Sequence, residues 1–132
     1  MRQDPLEVVT SIYGTWNAGD WGLDHFHPNV EWEWRGERPF DEAGSSRGRD
    51  ALLAYWRRFW AAWRPGAQWK IPELERVGDE QVLACGQLQV RGRSSGIETS
   101  IPVFHVWMVR EGVVVRLLIC DDRASAVRAA AS

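Results

Sequence analysis

The chain has little of several things that would settle its class at once. It carries two cysteines, Cys85 and Cys120, in 132 residues. They stand far apart, form no CxxC pair and no dense framework, and so suit a reducing cytosol rather than a disulfide-stapled secreted domain. No apolar run approaches the roughly 20 residues that span a bilayer. The polar start Met1-Arg2-Gln3-Asp4-Pro5 lacks the apolar core of a signal peptide. The expectation is a cytoplasmic protein with no membrane contact. Neither charge sign dominates: sixteen Lys+Arg face eighteen Asp+Glu, a net charge of −2. That balance removes the basic surface of a nucleic-acid binder. No phosphate loop or serine-nucleophile motif is present, and Ser94-Ser95-Gly96 reads as a hairpin turn. His25 and His27 stand beside Pro28 without a nearby cluster of Asp, Glu or Cys at ligand spacing, so neither metal nor cofactor is expected. Linkers, repeats and low-complexity tracts are missing too, and residues 1–132 are read as one domain.

What the chain does have is tryptophan: nine, beside two tyrosines and four phenylalanines. With 45% apolar residues it can bury a real core. A core this small needs few such large rings, so some are expected to line a space.

Hydrophobic spacing gives the elements. Asp4-Pro5-Leu6-Glu7 is a helix start, with an acid at the cap, proline at the first position and a glutamate three residues after the cap. Val9, Ile12, Tyr13 and Trp16 follow at helical spacing, and Asn17-Ala18-Gly19 ends the helix. Asp20 is expected to cap a short second helix running to about Phe26. Val30-Glu31-Trp32-Glu33-Trp34 alternates as a strand. Residues 35–47 read as a polar loop. A third helix covers Arg49 to Trp63, its apolar face carrying Trp56, Phe59, Trp60 and Trp63, with Arg57, Arg58 and Arg64 on the polar side. Strands are expected at about 68–77, 81–91, 97–109 and 113–121, joined by glycine-bearing turns, and Asp122 caps a terminal helix. Helices gathered before hairpin-linked strands argue for an α+β fold with helices packed on one face of an antiparallel sheet.

Four segments carry a family resemblance: Tyr13…Trp16-Asn17-Ala18-Gly19-Asp20, Phe26-His27-Pro28-Asn29-Val30-Glu31-Trp32, Arg47-Gly48-Arg49-Asp50-Ala51…Tyr55-Trp56, and His105-Val106-Trp107…Gly112-Val113-Val114-Val115-Arg116…Asp122-Arg123-Ala124. In this order and spacing the chain resembles the NTF2-like superfamily, in its SnoaL-like, ketosteroid-isomerase-like branch. The resemblance implies a cone, in which three helices from the N-terminal half pack on a strongly curved antiparallel sheet around a pocket. It implies small, apolar, often polycyclic ligands and homodimers formed through the outer sheet face. It does not imply one activity, because this fold hosts many.

The better-known residue sets of the family do not transfer. The carboxylate position of the steroid isomerases matches Trp34, with Glu33 one residue away on the opposite strand face. Their tyrosine position matches about Ile12, with Tyr13 roughly 100° away around the helix, and their second acid matches His105. Where epoxide hydrolase-like members carry an Asp–Arg–Asp set, this chain offers Gln87, Gln89 and Ile119. Polyketide cyclase-like members need only one acid or base in an apolar pocket, which this chain meets. His105 and Asp121 are the candidate catalytic pair, because the hairpin of the last two strands brings their positions together. Trp16, Trp32, Trp34, Trp56, Trp107, Leu117 and Ile119 are the candidate ligand-binding residues. Trp21 and Trp69 receive no role. The leading expectation is a small-molecule-binding protein acting as an isomerase, cyclase or lyase on an apolar cyclic substrate. The alternatives are a non-catalytic carrier and a dimeric interaction module of the nuclear-transport-factor type.

Overall fold

The computed structural model describes residues 4–35 and 45–131. In chain order the elements are α1 (Pro5–Asn17), β1 (Phe26–Arg35), β2 (Ser45–Arg47), α2 (Arg49–Trp60), β3 (Gln68–Val77), β4 (Gln81–Arg91), β5 (Glu98–Arg110), β6 (Val113–Cys120) and α3 (Arg123–Ala131). The chain is α+β, as expected.

Local chemistry sets the helix starts. The Asp4 carboxylate accepts from the Leu6 N–H at 2.8 Å while Pro5 occupies the first helical position. Asp122 does the same for α3, accepting from the Ser125 N–H at 2.7 Å. Asp20 caps no α-helix. Its carboxylate turns back to the Gly22 N–H at 2.9 Å, and Leu23–His25 forms only a single 3-10 turn. Phe26, expected as the end of that helix, instead opens β1. The expected loop at 35–47 is shorter at both ends, since Arg35 closes β1 and residues 45–47 pair with β1 as β2. Its middle, residues 36–44, lies outside the described residues.

The strands form one open sheet in the order β2-β1-β6-β5-β4-β3. Neighbours run antiparallel except β1 and β6, which are parallel, with Trp32 opposite Leu117 and Trp34 opposite Ile119. The sheet is therefore mixed, not purely antiparallel. β1 and β6 lie at opposite ends of the chain and are joined by a long crossover, which allows the parallel pairing a hairpin forbids.

Curvature has a local cause. Lys70 pairs with Gln87 and Glu73 with Cys85, so Ile71 and Pro72 together face the single residue Gly86. This bulge bends the edge strand over the sheet and gives Pro72 a place that needs no ladder N–H. A Cβ on Gly86 would stand 2.0 Å from the Lys70 carbonyl oxygen. Only glycine permits that approach.

Strand alternation then separates two cores. On the concave face α1 and α2 pack over Trp32, Val82, Ala84, Trp107, Val109 and Leu117. The convex face carries Leu83, Cys85, Val106, Leu118 and Cys120, covered by Ala126, Ala129 and Ala130 of α3. Arg123 anchors α3 through an ion pair to Glu73 on β3. The third helix thus lies at the C-terminal end and on the outer face, not with the N-terminal pair. No helix among the described residues is long and apolar enough to cross a membrane.

Candidate functional site

Between the concave sheet and the two inner helices lies a cavity of about 730 Å³. Trp16 closes it from the end of α1 and Trp21 from the segment that follows, while Trp56, Trp60 and Trp63 close it from α2 and the turn after it. Trp69 of β3 and Trp34 of β1 complete an aromatic wall. The rings pack against one another edge-on or tilted, with Trp16 4.8 Å from Trp69 and 5.2 Å from Trp56 between centroids. Such mutually braced rings keep their shape without a ligand. Asn17 adds a brace of another kind. Its amide accepts from the Trp69 N–H at 2.7 Å and donates to the Trp69 carbonyl at 3.1 Å. One side chain so satisfies the free edge of β3 and fixes the end of α1 to the sheet.

His105 lines the inner end of the cavity and is buried. Its position follows from register, opposite Ala84 on β4 and Ile119 on β6. The small Ala84 leaves room for the imidazole. Behind it, Tyr13 Oη lies 2.7 Å from His105 Nδ1, and Trp107 Nε1 lies 3.1 Å from the same oxygen. The tyrosine and imidazole rings are 3° from parallel, which is compatible with an in-plane hydrogen bond.

The first member fixes one bond of this chain. An indole N–H can only donate, so Trp107 donates to Tyr13. The tyrosine oxygen keeps a second lone pair and its own proton, so its sense toward His105 Nδ1 follows the imidazole tautomer. When the Tyr13 proton is directed at Nδ1, Nε2 carries the imidazole proton. In that tautomer Trp107, Tyr13 and His105 form a relay of donors that ends in an imidazole N–H at the cavity. Burial lowers the His105 pKa to about 3 and pushes the Tyr13 hydroxyl well above its ordinary value. At neutral pH both are uncharged.

A family model described as the SnoaL-like domain matches residues 9–117. The chain belongs to the SnoaL-like family. No curated protein matches it by sequence. Among solved structures it is similar to TerC, crystallised with polyporic acid, at TM-score 0.75 and 20% identity over 98% of this chain and all of that one. An NTF2-like protein from Burkholderia thailandensis is similar at TM-score 0.74 and 24% identity, with 98% of each chain covered. IdmH of Streptomyces antibioticus, assigned to the polyketide cyclases, is similar at TM-score 0.75 and 16% identity over 96% of this chain and 97% of that one. At these identities the likeness carries the fold.

Placed on this SnoaL-like frame, the expected residues divide. Trp16, Trp34, Trp56, Leu117, Ile119, His105 and Asp121 all line the cavity. Trp32 and Trp107 do not: Trp32 packs on Tyr55 at 4.5 Å, and Trp107 is fully buried behind Tyr13. Asp121 is exposed, one residue past β6 at the cavity wall. The structure does not bring it into the expected pairing with His105, whose hydrogen-bond partner is Tyr13 and whose pKa is set by burial alone. The rigid relay holds His105 in place, while Asp121 sits two residues beyond Ile119, roughly 7 Å farther along the strand direction.

Three residues carry more than the sequence suggested. Tyr13 orients His105, and Trp21 and Trp69 line the cavity. Tyr13 shares a helix face with Val9 and Trp16 at spacings of four and three, a signal that points it inward beside Ile12. Trp69 begins the alternation that places Ile71 against the core. Among the described residues no group of three or more His, Cys, Asp or Glu side chains is placed to hold a metal.

Proposed function

We propose that the cavity binds a flat, largely apolar ring compound bearing a carbonyl or hydroxyl oxygen, and that His105 Nε2–H donates to that oxygen. The observation that carries this reading is the Trp107–Tyr13–His105 relay, which points a neutral, oriented donor into an aromatic-walled space. A preoriented donor in a water-poor site stabilises negative charge that develops on an oxygen. Ring closure or isomerisation through an enolate creates such charge, which fits the polyketide cyclases and the isomerase among the structural neighbours. In that chemistry Asp121 removes the proton next to the carbonyl and His105 holds the oxygen that gains charge. In this reading Tyr13 donates to Nδ1 and Nε2 keeps the proton, so His105 acts as a donor and not as a base assisted by an aspartate.

A second reading, a carrier without turnover, is favoured by the same commitment, since the imidazole has no lone pair left to act as a base. Tryptophan fluorescence and product analysis on a panel of phenolic and polyketide-like ketones separate the two. Asp121→Asn that keeps affinity and loses conversion supports the enzyme. Binding by every variant with no conversion by the wild type supports the carrier. His105→Ala that binds as tightly as wild type removes the donor role from both. An interaction module draws no support from the surface, because the exposed large hydrophobics among the described residues are only Ile97 and Val127. A homodimer through the outer face must use the part that α3 leaves open, and sedimentation velocity measures whether it forms.

A further inference from the structure

The cavity has a second polar feature that the relay does not explain. Arg64 and Arg93 both line it. Six other arginines pair with acids: Arg47 with Glu31, Arg76 with Asp4, Arg91 with Glu98, Arg110 with Glu80, Arg116 with Glu33 and Arg123 with Glu73. Arg64 and Arg93 are absent from these ion pairs. Their hydrogen bonds go to backbone carbonyls. Arg93 donates from Nε to Ala61 at 3.1 Å and from Nη2 to Trp63 at 2.9 Å, which caps the end of α2. Arg64 reaches the Arg93 carbonyl at 3.4 Å and lies over Gly96.

Two guanidinium groups thus stand at one cavity wall, and no acid among the described residues pairs with either. Arg93 is immobilised by its two carbonyl bonds yet keeps its Nη1 protons, so little side-chain freedom is lost when it binds an anion. Along β5, Val103 and Ile101 line the cavity between His105 and this side. Four residues of strand span roughly 13 Å, room for a two-ring ligand.

We infer that the ligand is an acid: Arg64 and Arg93 receive a carboxylate on the ring system at the end away from the oxygen held by His105. This inference rests on the proposed reading of the cavity and adds a substrate class to it, an elongated aromatic or polycyclic hydroxy acid or keto acid. Wall chemistry separates the two ends. The neutral N–H of His105 suits a carbonyl or hydroxyl oxygen, and the exposed arginines suit a charge that stays partly in water.

The test compares 2-naphthol with 6-hydroxy-2-naphthoate by calorimetry at pH 7. Wild type should bind the carboxylate about fivefold more tightly, the scale of an exposed charge-assisted contact. The preference should shrink as sodium chloride is raised, while naphthol affinity stays level. Arg64→Gln should reduce the preference and leave naphthol affinity unchanged, so naphthol serves as the control for an intact fold. Equal affinities in wild type, or a preference that neither salt nor Arg64→Gln reduces, overturns the inference while leaving the ring-binding reading in place. Failure of both probes to bind removes that reading, and the acid with it.

Discussion

Tyr13→Phe isolates the relay better than any other change, because it removes one oxygen and keeps the ring. The oxygen is the meeting point of two hydrogen bonds, 2.7 Å to His105 Nδ1 and 3.1 Å from Trp107 Nε1. Without it the indole N–H of a fully buried Trp107 has lost its acceptor, and a buried imidazole nitrogen has lost its donor. Leaving a buried polar group unpaired costs about 1–3 kcal/mol. Two such groups, partly relieved by local adjustment, give an expected loss of about 2–4 kcal/mol of folding stability. For a chain of this size that lowers the melting temperature by roughly 8–15 °C. Urea unfolding followed by tryptophan fluorescence measures the loss, and an unchanged slope shows that the native state kept its compactness. Nitrogen-15 spectra of the wild-type imidazole provide the second readout, with the proton on Nε2 and none on Nδ1. A loss below about 0.5 kcal/mol, or a wild-type proton on Nδ1, refutes the relay and with it the donor role of His105.

Three further outcomes follow from the same structure. The folded His105 pKa of about 3 lies below the ordinary histidine value of 6.5. Between those values the unfolded chain binds a proton that the folded chain does not, so stability is full above about pH 6.5 and falls on acidification. The slope reaches about 1.4 kcal/mol per pH unit for this one group. His105→Gln should flatten the stability profile between about pH 6.5 and 5, above the range in which carboxylates such as Glu73 titrate, and parallel profiles would sink the assignment. Gly86→Ala drives a Cβ to within 2.0 Å of a backbone carbonyl. It should cost at least about 3 kcal/mol or prevent folding, and a variant melting within a few degrees of wild type would show that the bulge does not need glycine. Asn17→Ala unties the Trp69 backbone and should cost about 1–2 kcal/mol. Faster amide exchange at Trp69 should accompany that loss, and unchanged exchange would count against the brace.

Much of the frame was legible because it rests on periodicities that a single chain displays. The cap at Asp4, the inner faces of Trp34 and His105, and the boundaries of β3 and β4 all follow from spacing and turn residues. Features that depend on which strands become neighbours were not legible. The parallel pairing of β1 with β6 joins residues some 85 positions apart, and no local pattern announces it. The terminal helix was expected from Asp122, yet the face it covers is decided by the outward side of β4, β5 and β6. Tyr13 illustrates the harder case. Its neighbour Ile12 is also buried, so helix periodicity allows both inside without saying which one meets the sheet's polar atom. Only the crossing of α1 over β5 puts the hydroxyl against His105, 92 residues away.

The same crossing determines what the histidine can do. A carboxylate at Nδ1 would accept a hydrogen bond from Nδ1–H, leave Nε2 bare and make the imidazole a base. A tyrosine that directs its own proton at Nδ1 does the reverse and leaves the imidazole proton on Nε2. Asp121 is on the cavity wall but outside this hydrogen bond, so its own chemistry stays separate from that of the ring. Beside Asn17 and Asp20, the polar part of the cavity wall includes His105, the Asp121 carboxylate and the arginines Arg64 and Arg93. On the proposed reading, a ligand that engages His105, Asp121 and the arginines presents an oxygen acceptor, a removable proton and an anionic end, which simple hydrocarbons and unfunctionalised steroid-like rings lack.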